Sequence, residues 1–148
     1  MAEVCRVCKA QTIVHNLLHY CTSEACGAVH WDKPAVRKKA KILRKNIDLK
    51  KDFLQQSRVP LEDLGGHFVY QLRLRGGLNS VYIGMTGLHP HHRYLNHIIG
   101  YKASSRARKY ATALISFEGP MKYERAVERE VDWANELREL NYDVHGGH

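Results

Sequence analysis

All four cysteines of this chain fall within its first 26 residues, and none follows. Cys5-x-x-Cys8 is separated by twelve residues from Cys21-x-x-x-x-Cys26. A short cysteine pair can form a tight knuckle that aims two thiolates at one point. Two knuckles supply the four sulfurs that a tetrahedral zinc ion takes. In a reducing compartment such clustering argues for metal rather than disulfides. Gly27, directly after the second pair, suits a turn that needs a positive φ. A module of this size cannot bury enough apolar surface by itself, so a metal would supply much of its folding energy. The expectation is a structural Zn²⁺ held by Cys5, Cys8, Cys21 and Cys26. His15, His19 or His30 in place of one cysteine is an alternative, and four unligated thiols is another. Four ligands close the coordination sphere, so this zinc is not expected to be catalytic.

The rest of the 148 residues must supply one compact domain and its connection to that module. A hydrophobic fraction of 44% with 26% charged residues reads as globular and soluble. No apolar run approaches the roughly 20 residues of a membrane span. Met1 to Cys8 lacks an apolar signal core, so an intracellular place, cytoplasmic or nucleoid-associated, is expected rather than export. The formal net charge is +8. Its distribution matters more: no Asp or Glu occurs from Leu64 to Phe117, a stretch with seven Lys or Arg and five His. Such a surface favours a polyanion. An anionic membrane is less suited, because no amphipathic anchor with exposed Trp or Phe is evident. A merely solvated basic face is the bland alternative.

Residues 32–66 read as a basic helical connector. Asp32 can cap a helix and Pro34 suits its first turn. Val36, Ala40, Leu43 and Ile47 share one helical stripe. Lys38, Lys39, Lys41, Arg44 and Lys45 cover much of the remainder and could lie along phosphates, or form a solvated linker. A short helix from Asp48 to Gln56 would turn Leu49, Phe53 and Leu54 inward. Pro60 and Gly65-Gly66 then break the chain.

Residues 67–148 read as a third unit. His67 to Leu74 alternates, with Phe68, Tyr70, Leu72 and Leu74 on one face. Arg75-Gly76-Gly77-Leu78-Asn79 supplies a turn. Val81 to Thr86 is the partner strand, with Tyr82, Gly84 and Thr86 sharing a face. Gly84 removes a side chain where a substrate backbone could come close. Taken alone, both tyrosines fit ordinary strand packing. A helix from His91 to Ile99 puts Arg93 and His97, four apart, on one face, with Tyr94, Leu95, Ile98 and Ile99 buried. Arg106, Arg108 and Lys109 form a basic loop, and Ala111 to Phe117 a buried strand ended by Gly119-Pro120. The last helix, Lys122 to Leu140, carries Ala126, Glu130, Trp133, Leu137 and Leu140 on one stripe. A carboxylate among apolar neighbours is costly unless a cation offsets it. A metal ion or Arg93 would do so; Arg125 or Arg129 at the rim is the bland alternative. Residues 145–148 read as a flexible end able to bind metal adventitiously.

Two phenols, a guanidinium, an imidazole and one carboxylate suit metal-assisted phosphodiester cleavage. Their order resembles the GIY-YIG nuclease superfamily over roughly residues 67 to 143. Phe68-Val69-Tyr70 stands at the first tripeptide, with Phe68 in place of glycine. Tyr82-Ile83-Gly84 is an intact second tripeptide, with eleven residues between the two tyrosines. Arg93-Tyr94-Leu95-Asn96-His97 is similar to the family's Arg-x-x-x-His, and Ala126-Val127-Glu128-Arg129-Glu130 to its Ala-x-x-x-Glu.

The resemblance implies an α+β fold: a small three-stranded antiparallel sheet flanked by helices. The zinc-ribbon-like module (1–31) and the connector (32–66) would precede it. It also implies a DNA endonuclease. Glu130 would hold one Mg²⁺ or Mn²⁺, Arg93 would stabilise charge on the phosphate, and Tyr70 or Tyr82 would lie near the attacking water. His97 could relieve a tyrosine of its proton near neutral pH; which group is the base stays open. The partner would be nucleic acid, with double-stranded DNA favoured by the resemblance and RNA not separated by charge. Cutting both strands with one site needs a homodimer or two visits. Two other readings are a non-catalytic zinc-containing nucleic-acid-binding protein and a zinc-ribbon protein that binds another protein.

Overall fold

The structure is a computed structural model. It describes residues 4–5, 7–15, 17–23, 25–31, 33–43, 46–56, 66–75, 79–99 and 111–147. Its strands are β1 (Thr12–His15), β2 (Leu18–Cys21), β3 (Val29–Trp31), β4 (His67–Leu74), β5 (Ser80–Thr86), β6 (Ala111–Met121) and β7 (Asp143–Gly146). Its helices are α1 (Lys33–Leu43), α2 (Ile47–Gln56), α3 (Pro90–Ile99) and α4 (Tyr123–Glu139).

The class is α+β, but the sheet is larger than expected. Among the described residues seven strands, not three, run in the order β1-β2-β3-β6-β4-β5-β7. The three anticipated strands form its middle as β6-β4-β5, all antiparallel. Both edges of that trio are extended. On one side Val29 and His30 of β3 pair with Leu114 and Ala113 of β6, which joins the cysteine-bearing strands to the sheet. On the other, β7 runs parallel to β5 from Ser80↔Asp143 to Ile83↔Gly146. The physical reason is edge satisfaction: an unpaired strand leaves a row of backbone donors and acceptors that another strand can fill. The parallel pair needs a long crossover, and the path from β5 through α4 provides one. Residues 143–146 are therefore a strand and not a loose end.

Strand alternation splits the interior into two cores. Tyr70, Leu72 and Leu74 point to one face and pack with Val36, Leu43, Tyr94, Leu95, Ile98 and Ile99 from α1 and α3. Val69, Val81 and Ile83 point to the other and pack with Ala126, Trp133, Ala134 and Leu137 of α4. The sheet is thus covered by helices on both sides.

Some local readings shift. Asn46 caps α2, its Oδ1 accepting from the backbone N–H groups of Asp48 (2.9 Å) and Leu49 (3.3 Å). Ile47 therefore opens a second helix instead of closing the stripe of α1, and it is 53% exposed. Leu49 is exposed rather than inward, and so is Leu140, just past the end of α4. β6 runs through Gly119-Pro120 to Met121, because Met121 pairs with His67. α3 begins at Pro90, whose fixed φ suits a first helical position. His89 caps it: its Nδ1 accepts from the His91 N–H at 3.1 Å.

Candidate active site and metal centre

The two cysteine pairs converge. One sulfur from each of Cys5, Cys8, Cys21 and Cys26 lies within 4.8 Å of every other, close enough to hold a metal ion. Cys5 and Cys26 are 3.8 Å apart, Cys8 and Cys21 3.4 Å. Each pair sits in a knuckle whose backbone donates to sulfur. Val7 N–H reaches Cys5 Sγ at 3.4 Å, and Ser23 N–H reaches Cys21 Sγ at 3.4 Å. Each knuckle closes on a left-handed residue directly after its second cysteine: Lys9 at φ 68° and Gly27 at φ 64°. The glycine was legible in the sequence, whereas Lys9 was not, although it occupies the equivalent position.

Among the candidate histidines, His30 is buried with Nε2 3.3 Å from Cys5 Sγ. It supports the sulfur cluster from outside. Burial pushes the Cys5 thiol up, but the backbone at Cys8, the His30 ring and the backbone at Val7 outweigh it and bring it down to about 6. Cys26 is pushed up to about 12, by burial first and then by its thiol neighbours. Such a split is what crowding negative charge produces, since the first thiolate opposes the others. A cation at the centre removes that opposition.

The second constellation forms where β4, β5 and α3 meet. Tyr70 and Gly84 are cross-strand partners. The Tyr70 hydroxyl lies 2.7 Å from His97 Nε2. The rings of Tyr70, Tyr82 and His97 stand 5.8 to 6.3 Å apart. Tyr70 and His97 are shut off from solvent, while Tyr82 and Arg93 are half-buried. Gly84 has a reason different from the one expected. A Cβ there would stand 2.5 Å from the Tyr70 hydroxyl, so the space is filled by Tyr70 itself.

The Tyr70 phenol registers the other groups. Its ionisation is pushed above the usual phenol range, first by burial and then by the neighbouring Tyr82. The Arg93 guanidinium, by charge and hydrogen bonding, pulls the other way, and the Glu130 carboxylate adds to the rise. Burial, then the positive charge of Arg93, drives His97 down to about 3. That imidazole is uncharged at neutral pH, with its Nε2 set against the Tyr70 hydroxyl.

Glu130 projects from α4 between Ala126 and Ala134, one turn before and after, both fully buried. Small neighbours let the helix come close to the sheet there. The Tyr82 ring would meet a Cβ on Gly146, and the Glu130 carbonyl lies 3.6 Å from where a Cβ on Gly147 would stand. Tyr82 and the Glu130 turn therefore flank the same glycine pair, whose φ values are 72° and 70°. Arg125 and Arg129 have surface partners: Arg129 bridges Glu118 and Glu136, each at 2.9 Å, and Arg125 meets Glu128 at 3.6 Å.

Of the residues expected to contact nucleic acid, Lys38 and Lys41 are exposed on α1. Arg44, Lys45, Arg106, Arg108 and Lys109 lie outside the described residues. Among the described residues no helix is long and apolar enough to cross a membrane. Comparison with protein-family models, with curated proteins and with solved structures returns no match.

Proposed function

We propose that this chain is a metal-dependent endonuclease of the GIY-YIG type that hydrolyses phosphodiester bonds in DNA, with a structural zinc in its N-terminal module. The observation that supports this most is the gathering around one phenol. The Tyr70 hydroxyl bonds His97 and senses Tyr82, Arg93 and Glu130. A phosphate between Arg93 and Glu130 would meet a guanidinium fork on one side and a metal-binding carboxylate on the other.

The donor sets fit the ions proposed. A tetrahedral ion with Zn–S bonds of about 2.3 Å has its sulfurs about 3.8 Å apart. Two of the six sulfur separations, 3.8 and 3.4 Å, lie near that value, and all six are within 4.8 Å. Glu130 is one half-buried carboxylate. Mg²⁺ needs no more, since it takes one or two carboxylates and completes its shell with water and phosphate oxygens. Bound there, Mg²⁺ or Mn²⁺ would polarise the scissile phosphate and ease departure of the 3′ oxygen.

The residues divide the remaining work. Arg93 stabilises charge that builds on the phosphate oxygens, in a partly dry site where such a contact is strongest. Tyr82, the less buried phenol, faces the attacking water. With Arg93 donating to the Tyr70 oxygen, the phenol hydrogen is left for His97 Nε2. His97 thus fixes the orientation of Tyr70 and is not itself the base. Lys38 and Lys41, with Arg44, Lys45, Arg106, Arg108 and Lys109, would add phosphate contacts whose strength falls steeply with salt.

The test is plasmid cleavage by the zinc-loaded chain over Mg²⁺, Mn²⁺ and chelator, with zinc restored after chelation to separate the two metals. Glu130→Ala and Arg93→Ala should each abolish cutting and leave binding largely intact. Undiminished cutting by either variant removes this mechanism. Binding without cutting by the unaltered chain under every metal condition makes it a non-catalytic nucleic-acid-binding protein instead.

A further inference from the structure

His89, Arg93 and His97 recur every four residues, so they run along one stripe of α3 and its cap. Arg93 N–H donates to the His89 carbonyl at 3.0 Å, which fixes the cap in helical register. The His97 end lies against Tyr70 and Tyr82. The His89 end lies in a second aromatic group. His89 is 4.6 Å from His91, 5.4 Å from Phe117 and 5.7 Å from Phe68, centre to centre. His91 is 5.8 Å from Phe117 and 5.1 Å from Tyr20 of β2. Phe117 is the cross-strand partner of Tyr70 and so shares its face of the sheet. Arg93 therefore stands between two aromatic groups, about one helical turn, or about 6 Å, from each end.

This second group has the properties of a surface for a flat, uncharged ring. Phe117 is 37% exposed, an unusual state for phenylalanine in mid-strand. The rings of His89, His91 and Phe68 stand at 70°, 87° and 73° to it, so none of them is stacked parallel on it. Burial keeps both histidines below their ordinary pKa, His91 at about 4, so the surface is uncharged at neutral pH. The next residue, Glu118, pairs with Val69 and so lies on the opposite face of the sheet, where Arg129 of α4 holds it with two 2.9 Å hydrogen bonds.

We propose that Phe117, His89, His91 and Tyr20 form a shelf on which an unpaired nucleobase stacks, one nucleotide away from the phosphate held by Arg93. This rests on the nuclease reading for the role of Arg93 and narrows its substrate. The substrate is nucleic acid with an unpaired base beside the scissile phosphate, such as a flap or a gap edge, in preference to continuous duplex. Aromatic shelves suit this because every base has a π-face, whereas a paired base keeps its faces inside the stack.

The test compares two labelled DNA hairpins of equal length, one fully paired and one with a single-stranded flap. Affinity is measured by fluorescence anisotropy with the zinc-loaded full chain and no added Mg²⁺ or Mn²⁺. Stacking one base is expected to favour the flap by roughly 5- to 100-fold. Phe117→Ala should lose most of that preference, with duplex affinity and salt slope unchanged because no charge is removed. Phe117→Trp should restore it, and its indole emission should be quenched by the flap and not by the duplex.

Equal affinity of the unaltered chain for both hairpins overturns the shelf. So does a Phe117→Ala variant with unchanged melting temperature and full preference, which would make the rings a packing cluster only. Cleavage of the same DNAs with Mg²⁺ keeps the two proposals apart. Cutting without preference overturns the shelf alone, whereas Phe117-dependent preference without any cutting overturns the nuclease reading and keeps the shelf.

Discussion

The Tyr70 hydroxyl sits 2.7 Å from Nε2 of His97, with both side chains excluded from solvent. The bond crosses from the interior strand β4 to the far end of α3. It ties the orientation of the phenol to the packing of the helix that also carries Arg93. Removing either partner leaves a buried polar atom unpaired, which costs about 1–3 kcal/mol.

The two tyrosines should therefore separate stability from activity. Tyr70→Phe is expected to lower stability by that amount, because His97 loses its partner. Tyr82→Phe, at a half-buried ring, should change stability by less than about 0.5 kcal/mol. Both should reduce cleavage, Tyr82→Phe more. Denaturant unfolding beside a plasmid assay measures each. A Tyr82→Phe variant as active as the parent would dismiss the role given to that phenol.

Acid should destabilise the fold over a defined range. Burial first holds His91 at about 4 and His97 at about 3, whereas both take a proton near pH 6.5 when unfolded. Between those limits the unfolded chain binds more protons than the folded one, so stability rises with pH. It is fully present above about pH 6.5, declines as pH falls toward 4, and levels off below the folded values. A fully buried histidine contributes up to about 1.4 kcal/mol per pH unit, and the partly exposed His91 less. Denaturant midpoints at saturating zinc should show this slope, and His97→Gln should flatten part of it. Zinc release adds acid sensitivity of the same sign, so the difference between the two proteins is the decisive measurement.

Gly84→Ala should be damaging despite its size. The added methyl would stand 2.5 Å from the Tyr70 hydroxyl and 2.9 Å from the Tyr82 ring. Overpacking of this kind costs about 1–3 kcal/mol. Cleavage should fall further than stability accounts for, because both phenols must move. Wild-type turnover at a temperature where the variant is fully folded would contradict this.

Lys9 and Gly27 hold equivalent left-handed positions after the two cysteine pairs, and substitutions there should have opposite signs. Lys9→Gly should stabilise the metal-loaded protein by about 1 kcal/mol, because glycine adopts φ 68° without the Cβ conflict. Gly27→Ala should destabilise by a similar amount through φ alone, since no atom lies within 4 Å of its Cβ position. Thermal melts of the zinc-loaded variants decide the signs.

Metal removal should act locally. Ordering costs roughly 1–2 kcal/mol per residue. Leu18 and Val29, the large buried aliphatics of β2 and β3, return about 1.5–3 kcal/mol each. A structural zinc contributes about 10–16 kcal/mol. Without it, amide exchange should speed up through β1, β2 and β3 while β4 and β5 stay protected. Uniform protection after chelation would mean that the pairing of β3 with β6 suffices.

The local periodicities were readable because each reflects one short-range rule. The two-residue repeat of His67 to Leu74 marks a strand. The four-residue step from Arg93 to His97 puts both on one helical face. The cysteine spacing marks two knuckles. The size of the sheet was not readable. Nothing local distinguishes Val29-His30-Trp31 as a partner for β6, and Asp143 to Gly146 is too short and polar to announce a strand. Their pairing follows from which edges the folded sheet leaves open.

The sequence by itself determined the chemistry at hand: which sulfurs, phenols, guanidinium and carboxylate the chain carries, and on which strand or helix each sits. Only the tertiary structure decided how they work on one another. It put Tyr70 over Gly84, closed Tyr70 and His97 off from water, and set the Gly146-Gly147 pair between Tyr82 and the Glu130 turn. The reason is that proton affinity and close packing depend on distances between residues far apart in the chain. Local sequence rules do not contain those distances, and folding supplies them.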